Sequence, residues 1–175
     1  MTNYVKTYSE ECSKNGLSVV AFDLETGRIV GAFLNKDFSV EATLIEGDTN
    51  LFSKFLIHLN YNLWNQIQHP LKEVAAKENH IVDMMLIAVS GNYMGRKIGS
   101  RLCEFSFKVA KERGFKHTFS WIVNERTRHL FDKEGAQTVS KIDPEEYENY
   151  EYQGDKLLVK MPKTTPLEHM VKTFT

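Results

Sequence analysis

The sequence has few cysteines and no excess of charge of either sign. Its two cysteines, Cys12 and Cys103, lie far apart and outside any metal-binding spacing, which excludes a zinc cluster and a small disulfide framework. The 22 Lys and Arg residues are balanced by 23 Asp and Glu residues, so there is no basic stripe of the kind that binds nucleic acid. We therefore expect no metal and no nucleic-acid partner, and a cytoplasmic location.

Long apolar runs are also missing. No segment approaches the roughly 18 consecutive apolar residues that a transmembrane helix needs. The first ten residues are polar and lack the apolar stretch of a signal peptide. With 175 residues, 42% of them apolar, the chain is long enough to build one ordinary core. We expect a single domain over residues 1–175 with no membrane partner.

The order of the predicted elements indicates an α/β fold. A helix over 4–14 precedes a β-hairpin with strands over 17–23 and 29–34. Apolar residues at spacings of three and four then predict a long helix over 51–67. The apolar run Ile81–Val89 is typical of a central strand buried on both faces. After it we expect a helix (98–113), a strand (116–123), a helix (125–133), a strand (137–142), a loop (143–154) and a last strand (167–174).

The glycine-bearing turn between the central strand and the next helix predicts an anion site, because free amides and the helix dipole point at the same place. The residues that would bind are Met94, Gly95, Arg96, Lys97, Ile98, Gly99 and Ser100. Glycines let the chain approach phosphate oxygens, and the basic side chains add positive charge. The alternative is an ordinary turn with solvated basic residues. The spacing predicts that the helix buries Ile98, Leu102, Phe105 and Val109.

Two segments resemble the acetyl-CoA signatures of the GNAT (Gcn5-related) N-acetyltransferase superfamily. The run from Leu86 to Leu102 is similar to the first, usually written Q/R-x-x-G-x-G/A. The run from Asn124 to Gly135 is similar to the second, N-x-x-A-x-x-L-Y-x-K-x-G-F. The layout of the whole chain resembles the insect-type arylalkylamine (dopamine) N-acetyltransferases. The resemblance implies a mixed, mostly antiparallel sheet that splays at the central strand, with helices on both faces.

The resemblance also implies a function, which is acetyl transfer from acetyl-CoA to a primary amine of a small arylalkylamine or polyamine-like acceptor. It places the pyrophosphate on the glycine turn, and the pantetheine along the backbone of Ile87, Ala88 and Val89. Asn124, Thr127 and Phe131 would also contact the cosubstrate. Thr127 matches a serine of the arylalkylamine group and could assist the leaving thiolate, although a helix threonine more often bonds back to its own backbone. Asn124 could equally cap its helix.

The chain departs from the family pattern at marked positions. Met94 stands where the signature has Gln or Arg, Lys97 replaces its first glycine, and Phe131 replaces the tyrosine that many GNAT enzymes use as an acid. The first element resembles the family's second strand, so the usual front strand and helix, with their acidic base, are apparently missing. The sheet edge left open there predicts a homodimer. A CoA-binding pseudoenzyme and a cofactor-free interaction module are the alternatives.

Two residues are candidates for the general base that acetyl transfer needs. Asp83 is the only carboxylate in the apolar strand, and burial raises the pKa of a carboxyl group toward the useful range. The alternative is an aspartate near the strand end that pairs with a cation. His117 alternates with two aromatic residues, which is more typical of a packed histidine. Phe38 and Tyr152 could line the acceptor pocket, whereas Tyr61 and Trp64 lie near a helix face that we expect to pack on the sheet. The alternative for all four is the core, since aromatic residues at helical spacing are usually buried there.

Overall fold

A computed structural model describes residues 3–38, 64, 71–74, 77, 79–151, 154–160 and 166–175. Its helices in those ranges are α1 (Asn3–Lys14), α2 (Leu71–Val74), α3 (Ile98–Glu112) and α4 (Glu125–Lys133). Its strands are β1 (Val19–Phe22), β2 (Ile29–Asp37), β3 (Ile81–Val89), β4 (His117–Ile122), β5 (Gln137–Ile142) and β6 (Leu167–Thr173). The predicted helix over 51–67 lies outside the described residues, apart from Trp64.

The described strands form one six-stranded sheet in the order β1-β2-β3-β4-β6-β5. Among them only β3 and β4 run parallel, since α3 carries the chain back between them, and the other neighbouring pairs are antiparallel. The predicted mixed, mostly antiparallel α/β fold is confirmed. No helix in the described part of the chain is long and apolar enough to cross a membrane.

Two apolar clusters lie on opposite faces of the sheet. On one face, Leu102 of α3 and Phe131 of α4 pack with the strand residues Phe33 and Met84. On the other face, Leu71 of α2 packs with Ile81, Phe119 and Val171. The sheet therefore has helices on both sides and a core on each.

Helix α3 packs inward as predicted at Ile98, Leu102 and Val109, but not at Phe105. Its buried residues are Leu102, Cys103, Ser106, Phe107 and Ala110. Ile98 and Val109 pack against the core while partly exposed, but Phe105 is 50% exposed. The prediction for Phe105 was wrong because Phe105 and Phe107 lie about 200° apart around a helix, so only one of them can face inward.

Helix α3 begins very close to β2, above Gly31. A Cβ atom at this position would lie 3.0 Å from Leu102 Cδ1 and 3.1 Å from Ile98 Cγ2. Because glycine has no Cβ, the first turn of α3 rests directly on the sheet. This contact determines the height of the helix N-terminus above the strands.

A β-bulge at Met85 changes which side chains of β3 face α3. The register of β2 with β3 shifts between Leu34 and Asn35, so Met85 is the extra residue. Before the bulge Met84 belongs to the cluster under α3, and after it Ile87 packs there. Successive side chains on the α3 side are thus three residues apart here, instead of the two of a regular strand. Beyond the bulge, odd-numbered residues of β3 therefore face α3, where even-numbered residues did before it.

The second half of β3 is exposed on one face. Residues 81–84 are buried, whereas Leu86 is 43% exposed and Ala88 is also exposed. The prediction of a strand buried on both faces was wrong for this half. In the described sheet β4 pairs with β3 only from Ile81 to Asp83, so this half of β3 pairs with β2 alone.

The acidic segment after β5, predicted to be a loop, contains a 3-10 helix over Pro144–Asn149. The Asp143 N–H donates to the Glu146 carboxylate at 3.1 Å, and Tyr147 is fully buried. A short 3-10 turn has no apolar period, so only its packing reveals it.

Strand β1 forms one edge of the described sheet. It carries apolar side chains that face solvent, since Val20 is 42% and Phe22 54% exposed. An edge of this kind favours strand addition. The homodimer stays a prediction.

His169 on β6 is completely buried and packs against Phe119. The two ring centres are 4.8 Å apart, and His169 Nδ1 lies 2.9 Å from Ser140 Oγ. Burial lowers the pKa of His169 from 6.5 to about 4. The imidazole is therefore neutral in the folded protein at neutral pH.

The neutral His169 makes stability depend on pH. Between pH 6.5 and about 4 the unfolded chain binds a proton that the folded chain does not. The stabilisation is therefore complete above pH 6.5, and up to about 3 kcal/mol is lost as the pH falls through this window. His169→Gln should flatten this decrease, and His129→Gln, at an exposed histidine, should not. Urea unfolding at neutral pH and at about pH 4.5 measures the change in the free energy of unfolding with pH. If this change is the same in His169→Gln as in the parent, the expectation is contradicted.

Candidate functional site

Strands β3 and β4 separate at their carboxyl ends and leave a cleft between them. Their pairing starts at Ile81 and extends only to the pair of Asp83 and Phe119. Just beyond that pair the Ser120 hydroxyl donates to the Met84 carbonyl at 2.6 Å. A side chain thus replaces the next backbone bond, and the two strands form the walls of the cleft from there.

The backbone amides of Ile87 and Val89 point into this cleft. The Ser90 N–H donates to the Val30 carbonyl of β2 at 2.8 Å. Successive residues of a β-strand direct their N–H groups to alternate sides, so the N–H of Ala88, two residues before Ser90, also points toward β2. Ile87 and Val89 then face the β4 side, where the described part of β4 no longer pairs with them. The cleft wall therefore carries two hydrogen-bond donors.

Beyond the cleft, the chain turns through 91–97 into α3. Gly91–Tyr93 form one 3-10 turn. Gly95 has a φ of 77° and Lys97 a φ of 59°. Left-handed residues in such a turn are typical of the backbone nests that bind anions.

The amides at the start of α3 have no backbone acceptor. The Arg101 N–H donates to the Lys97 carbonyl at 3.1 Å, and no side chain caps the helix. Within the described part of the chain, the amides of 95–100 donate to no backbone carbonyl. The side chains of Arg96, Lys97 and Arg101 are exposed beside them. Free amides at the N-terminus of a 15-residue helix can bind an anion.

Gly99 lies between the cleft wall and α4. A Cβ atom there would lie 3.8 Å from Val89 Cγ2 and 3.9 Å from Leu130 Cδ1, which are ordinary contacts. The position therefore requires a small residue, and alanine would fit it. Met94 is 63% exposed, and Ile98 and Ser100 are partly exposed.

Helix α4 begins directly after β4, with Asn124 as its cap. Asn124 Oδ1 accepts from the Thr127 N–H at 2.9 Å and from the Thr127 hydroxyl at 3.1 Å. Asn124 thus has the capping role, and Thr127 bonds to the cap instead of its own backbone. The N-terminus of α4 favours negative charge nearby.

Phe131 lies in the core. It is 1% exposed, and its ring packs edge-on against the rings of Phe107 and Phe33, with ring centres 5.3 and 6.2 Å apart. The side chain therefore has almost no surface for the cosubstrate contact that the resemblance implies. The reason is that this position faces inward from α4, toward α3 and β2.

The two candidate bases lie at different places. Asp83 is 7% exposed and lies where the cleft begins, opposite Lys36 of β2, which is 3% exposed. Directly opposite residues share a face of the sheet, and the ammonium of Lys36 forms an ion pair with Glu11 of α1, with Nζ 3.8 Å from Oε2. His117 lies at the closed end of the β3–β4 pair, with Nδ1 2.9 Å from Thr173 Oγ1. The structure does not bring His117 to the cleft.

The sequence alone did not indicate one contact of the turn. The Tyr93 hydroxyl donates to the Asp23 carboxylate in the β1–β2 hairpin, 70 residues away along the chain. This bond lowers the pKa of Asp23 and raises the pKa of Tyr93. The Arg96 guanidinium carbon lies 4.9 Å from the centre of the Tyr93 ring. No local pattern marks such a pair.

A second polar region lies outside the cleft, in a cavity of about 440 Å³ beside α4, β5 and β6. It is lined by Arg128, Thr138, Val139, Ser140, Lys141 and Glu168. The buried Glu168 carboxylate lies 3.3 Å from Arg128 Nε and accepts from the Thr138 hydroxyl at 3.1 Å. Its charge is thus compensated within the protein, as a structural ion pair would be.

A family model described as the acetyltransferase (GNAT) family matches residues 6–136, well over half of the chain. The chain belongs to this family and carries its acetyltransferase domain. Members of the family use acetyl-CoA as cosubstrate. Comparison with curated proteins gave no match.

Solved structures share the fold at low sequence identity. Arylalkylamine N-acetyltransferase 2 from Aedes aegypti has a TM-score of 0.76 and 18% identity, over 99% of this chain and 80% of that chain. The Drosophila melanogaster polyamine N-acetyltransferase that forms N-acetylagmatine has a TM-score of 0.75 and 16% identity, over 99% and 82%. The C-terminal condensation domain of Ebony, in complex with beta-alanyl-dopamine, has a TM-score of 0.66 and 18% identity, over 98% and 77%.

Substitutions of Lys97 test the backbone conformation of the turn. Lys97→Gly and Lys97→Ala both remove the ammonium, but only glycine adopts a φ of 59° without a steric cost of about 1–2 kcal/mol. We expect Lys97→Gly to be more stable than Lys97→Ala by about 1 kcal/mol in urea unfolding. Equal stability of the two variants would show that the left-handed conformation is absent in solution.

Proposed function

We propose that this protein transfers acetyl from acetyl-CoA to the primary amine of a small molecule, by direct attack in a ternary complex and in the cytoplasm. The observation that carries this proposal is the run of free amides over 95–100 beside a cleft into which Ile87 and Val89 direct their amides. The two sets of donors follow each other along the chain. They suit an elongated ligand that has a pyrophosphate at one end and a carbonyl at the other.

The proposed chemistry needs a donor for the thioester oxygen and a proton for the leaving thiolate. The amides of Ile87 and Val89 supply the donor, because the strand holds them in place before the reaction. The Thr127 hydroxyl, after turning away from Asn124 to which it donates in the free protein, donates a hydrogen bond to the leaving thiolate. The N-terminus of α4 favours the negative charge of that sulfur until it takes the proton that the acetylated nitrogen releases.

Asp83 is the proposed general base. It would take a proton from the ammonium of the acceptor, so that the free lone pair attacks the thioester carbonyl. Its support is its place at the start of the cleft and its burial at 7% exposure. Lys36 lies directly opposite it on the neighbouring strand and forms an ion pair with Glu11, with Nζ 3.8 Å from Oε2. His117 is left without a role because it lies at the closed end.

An arylalkylamine or a polyamine-like amine is the proposed acceptor. The rings of Phe38, Trp64 and Phe119 form a cluster with centres 4.7 to 5.2 Å apart. This cluster packs with Ile81, which shares its face of β3 with Asp83. Phe119 is buried in this cluster, but Phe38 and Trp64 are partly exposed, and partly exposed rings suit an aryl group. The arylalkylamine and polyamine enzymes of the same fold support this class. Tyr61 and Tyr152 lie outside the described residues.

One observation favours a second function, that of a CoA-binding pseudoenzyme. Phe131 occupies the position of the tyrosine that many GNAT enzymes use as a general acid. It has no hydroxyl, and it is buried. Such a protein would bind CoA through the same amides and transfer nothing.

Binding and turnover distinguish the two functions. We expect calorimetric titration to show acetyl-CoA binding in the range of about 1 μM to 1 mM that is usual for enzyme substrates. We expect thiol release with at least one member of a panel of arylalkylamines and polyamines. Binding without release from any amine would establish the pseudoenzyme, and absence of binding would refute both functions.

Asp83→Asn tests the proposed base. The shape is kept, so acetyl-CoA should bind as before, while kcat/KM for the amine should fall by about 100 to 10,000-fold at neutral pH. The loss should shrink as pH rises, since more of the amine then arrives already neutral. Asp132→Asn, at an exposed carboxylate on α4, is the matched control and should behave as the parent does. If Asp83→Asn is as fast as the parent at neutral pH, Asp83 is structural.

A further inference from the structure

We propose that Tyr93 and Asp23 form a clasp that positions the phosphate-binding amides of 95–100. The inference rests on the proposed function and assigns a role to two residues that are not among those proposed to bind the phosphate. The clasp joins the β1–β2 hairpin to the turn by one hydrogen bond, from the Tyr93 hydroxyl to the Asp23 carboxylate. Both are positioning residues, because they act through the backbone and not on the reacting atoms.

The hairpin side of the clasp is rigid. The Asp23 carboxylate also accepts from the N–H groups of Glu25 at 2.9 Å and Thr26 at 3.2 Å. The Asp23 backbone closes the hairpin through bonds of 2.8 and 2.9 Å with Gly27 and Arg28. The carboxylate is therefore held by its own turn before Tyr93 reaches it. Three donors to one carboxylate agree with its lowered pKa.

The turn side of the clasp is otherwise weakly held. The Tyr93 N–H donates to the Ser90 carbonyl at 2.9 Å, and the Met94 N–H reaches the Gly91 carbonyl at 3.3 Å. Among the described contacts, residues 94–97 make no hydrogen bond to the sheet itself. Of the described hydrogen bonds from this turn to the β1–β2 hairpin, that of the Tyr93 hydroxyl lies closest along the chain to Gly95. Gly95 is the first left-handed residue of the turn.

The Tyr93 ring also orders a cation. The Arg96 guanidinium carbon lies 4.9 Å from the ring centre, within the range of a cation–π contact. One side chain therefore positions both the free amides and a positive charge next to them. An anion that binds to a turn already in place loses less conformational entropy than one that must order it.

Tyr93→Phe is the primary test, because it keeps the ring and removes only the hydroxyl. Loss of one charge-assisted bond should raise the Kd and the KM for acetyl-CoA by about 5 to 20-fold. We expect kcat and the KM for the amine to stay within about twofold. With S-acetylpantetheine, which has no pyrophosphate, kcat/KM should equal that of the parent. A purely structural role would not separate the two acetyl donors.

Two further variants complete the experiment. Asp23→Asn should also raise the Kd and the KM for acetyl-CoA, but by less than Tyr93→Phe does. The double variant should bind acetyl-CoA no more weakly than Tyr93→Phe, since both substitutions act on the same hydrogen bond. Tyr150→Phe removes the hydroxyl of a tyrosine that follows the 3-10 helix Pro144–Asn149, outside the turn and the β1–β2 hairpin, and should leave all constants unchanged.

The outcomes separate the clasp from the proposed function. If the parent does not bind acetyl-CoA, the proposed function fails and the clasp fails with it. If the parent binds and Tyr93→Phe binds equally tightly, the clasp is refuted while the function stands. Equal losses with acetyl-CoA and S-acetylpantetheine would also refute it, since they indicate a general disturbance of the fold.

Discussion

Strands β3 and β4 stop pairing after Asp83 and Phe119, and this loss of backbone hydrogen bonds shapes the candidate site. Backbone donors that lose a strand partner need water or a ligand in its place. The amides of Ile87 and Val89 are in that position along the cleft wall. The Ser120 hydroxyl satisfies the first freed carbonyl, that of Met84, and so defines where the opening begins.

Two glycines lie where the N-terminus of α3 meets its neighbours, and only Gly31 makes a close approach. Gly31 lets the helix rest on β2, and Gly99 fits between Val89 and Leu130. Neither glycine contacts the anion through a side chain, but together they determine where the free amides lie. Because the proposed binding uses amides, the departures at Met94 and Lys97 change side chains without removing the donors. Lys97 adopts the left-handed conformation at the position where the family signature has a glycine.

Buried polar groups are distributed over both faces of the sheet. On the α4 side Glu168 is compensated by Arg128, which accounts for a carboxylate that is 3% exposed. On the other side His169 is kept neutral by burial, and Asp83 lies opposite Lys36. Of these groups, Asp83 is the one at the start of the cleft. The proposed chemistry therefore depends on position in the sheet more than on burial alone.

The sequence by itself determined the order of the elements and the position of the turn for which we propose anion binding. Apolar periods of two and of three to four residues, and glycines at 91, 95 and 99, are local signals that need no knowledge of distant contacts. They predicted the strands, α3 and α4, although Phe105 was placed inward where Phe107 is. Two aromatic residues two positions apart both fit a helical pattern, and only packing against the sheet chooses between them.

Only the tertiary structure decided which half of β3 is open, that Phe131 lies in the core, and that Asp23 holds Tyr93. The first depends on where β4 leaves β3, and the second on how α4 packs against α3 and β2. The third joins residues 70 positions apart. Each is a contact between segments that are distant along the chain, and a local pattern carries no information about which distant segment will become its neighbour.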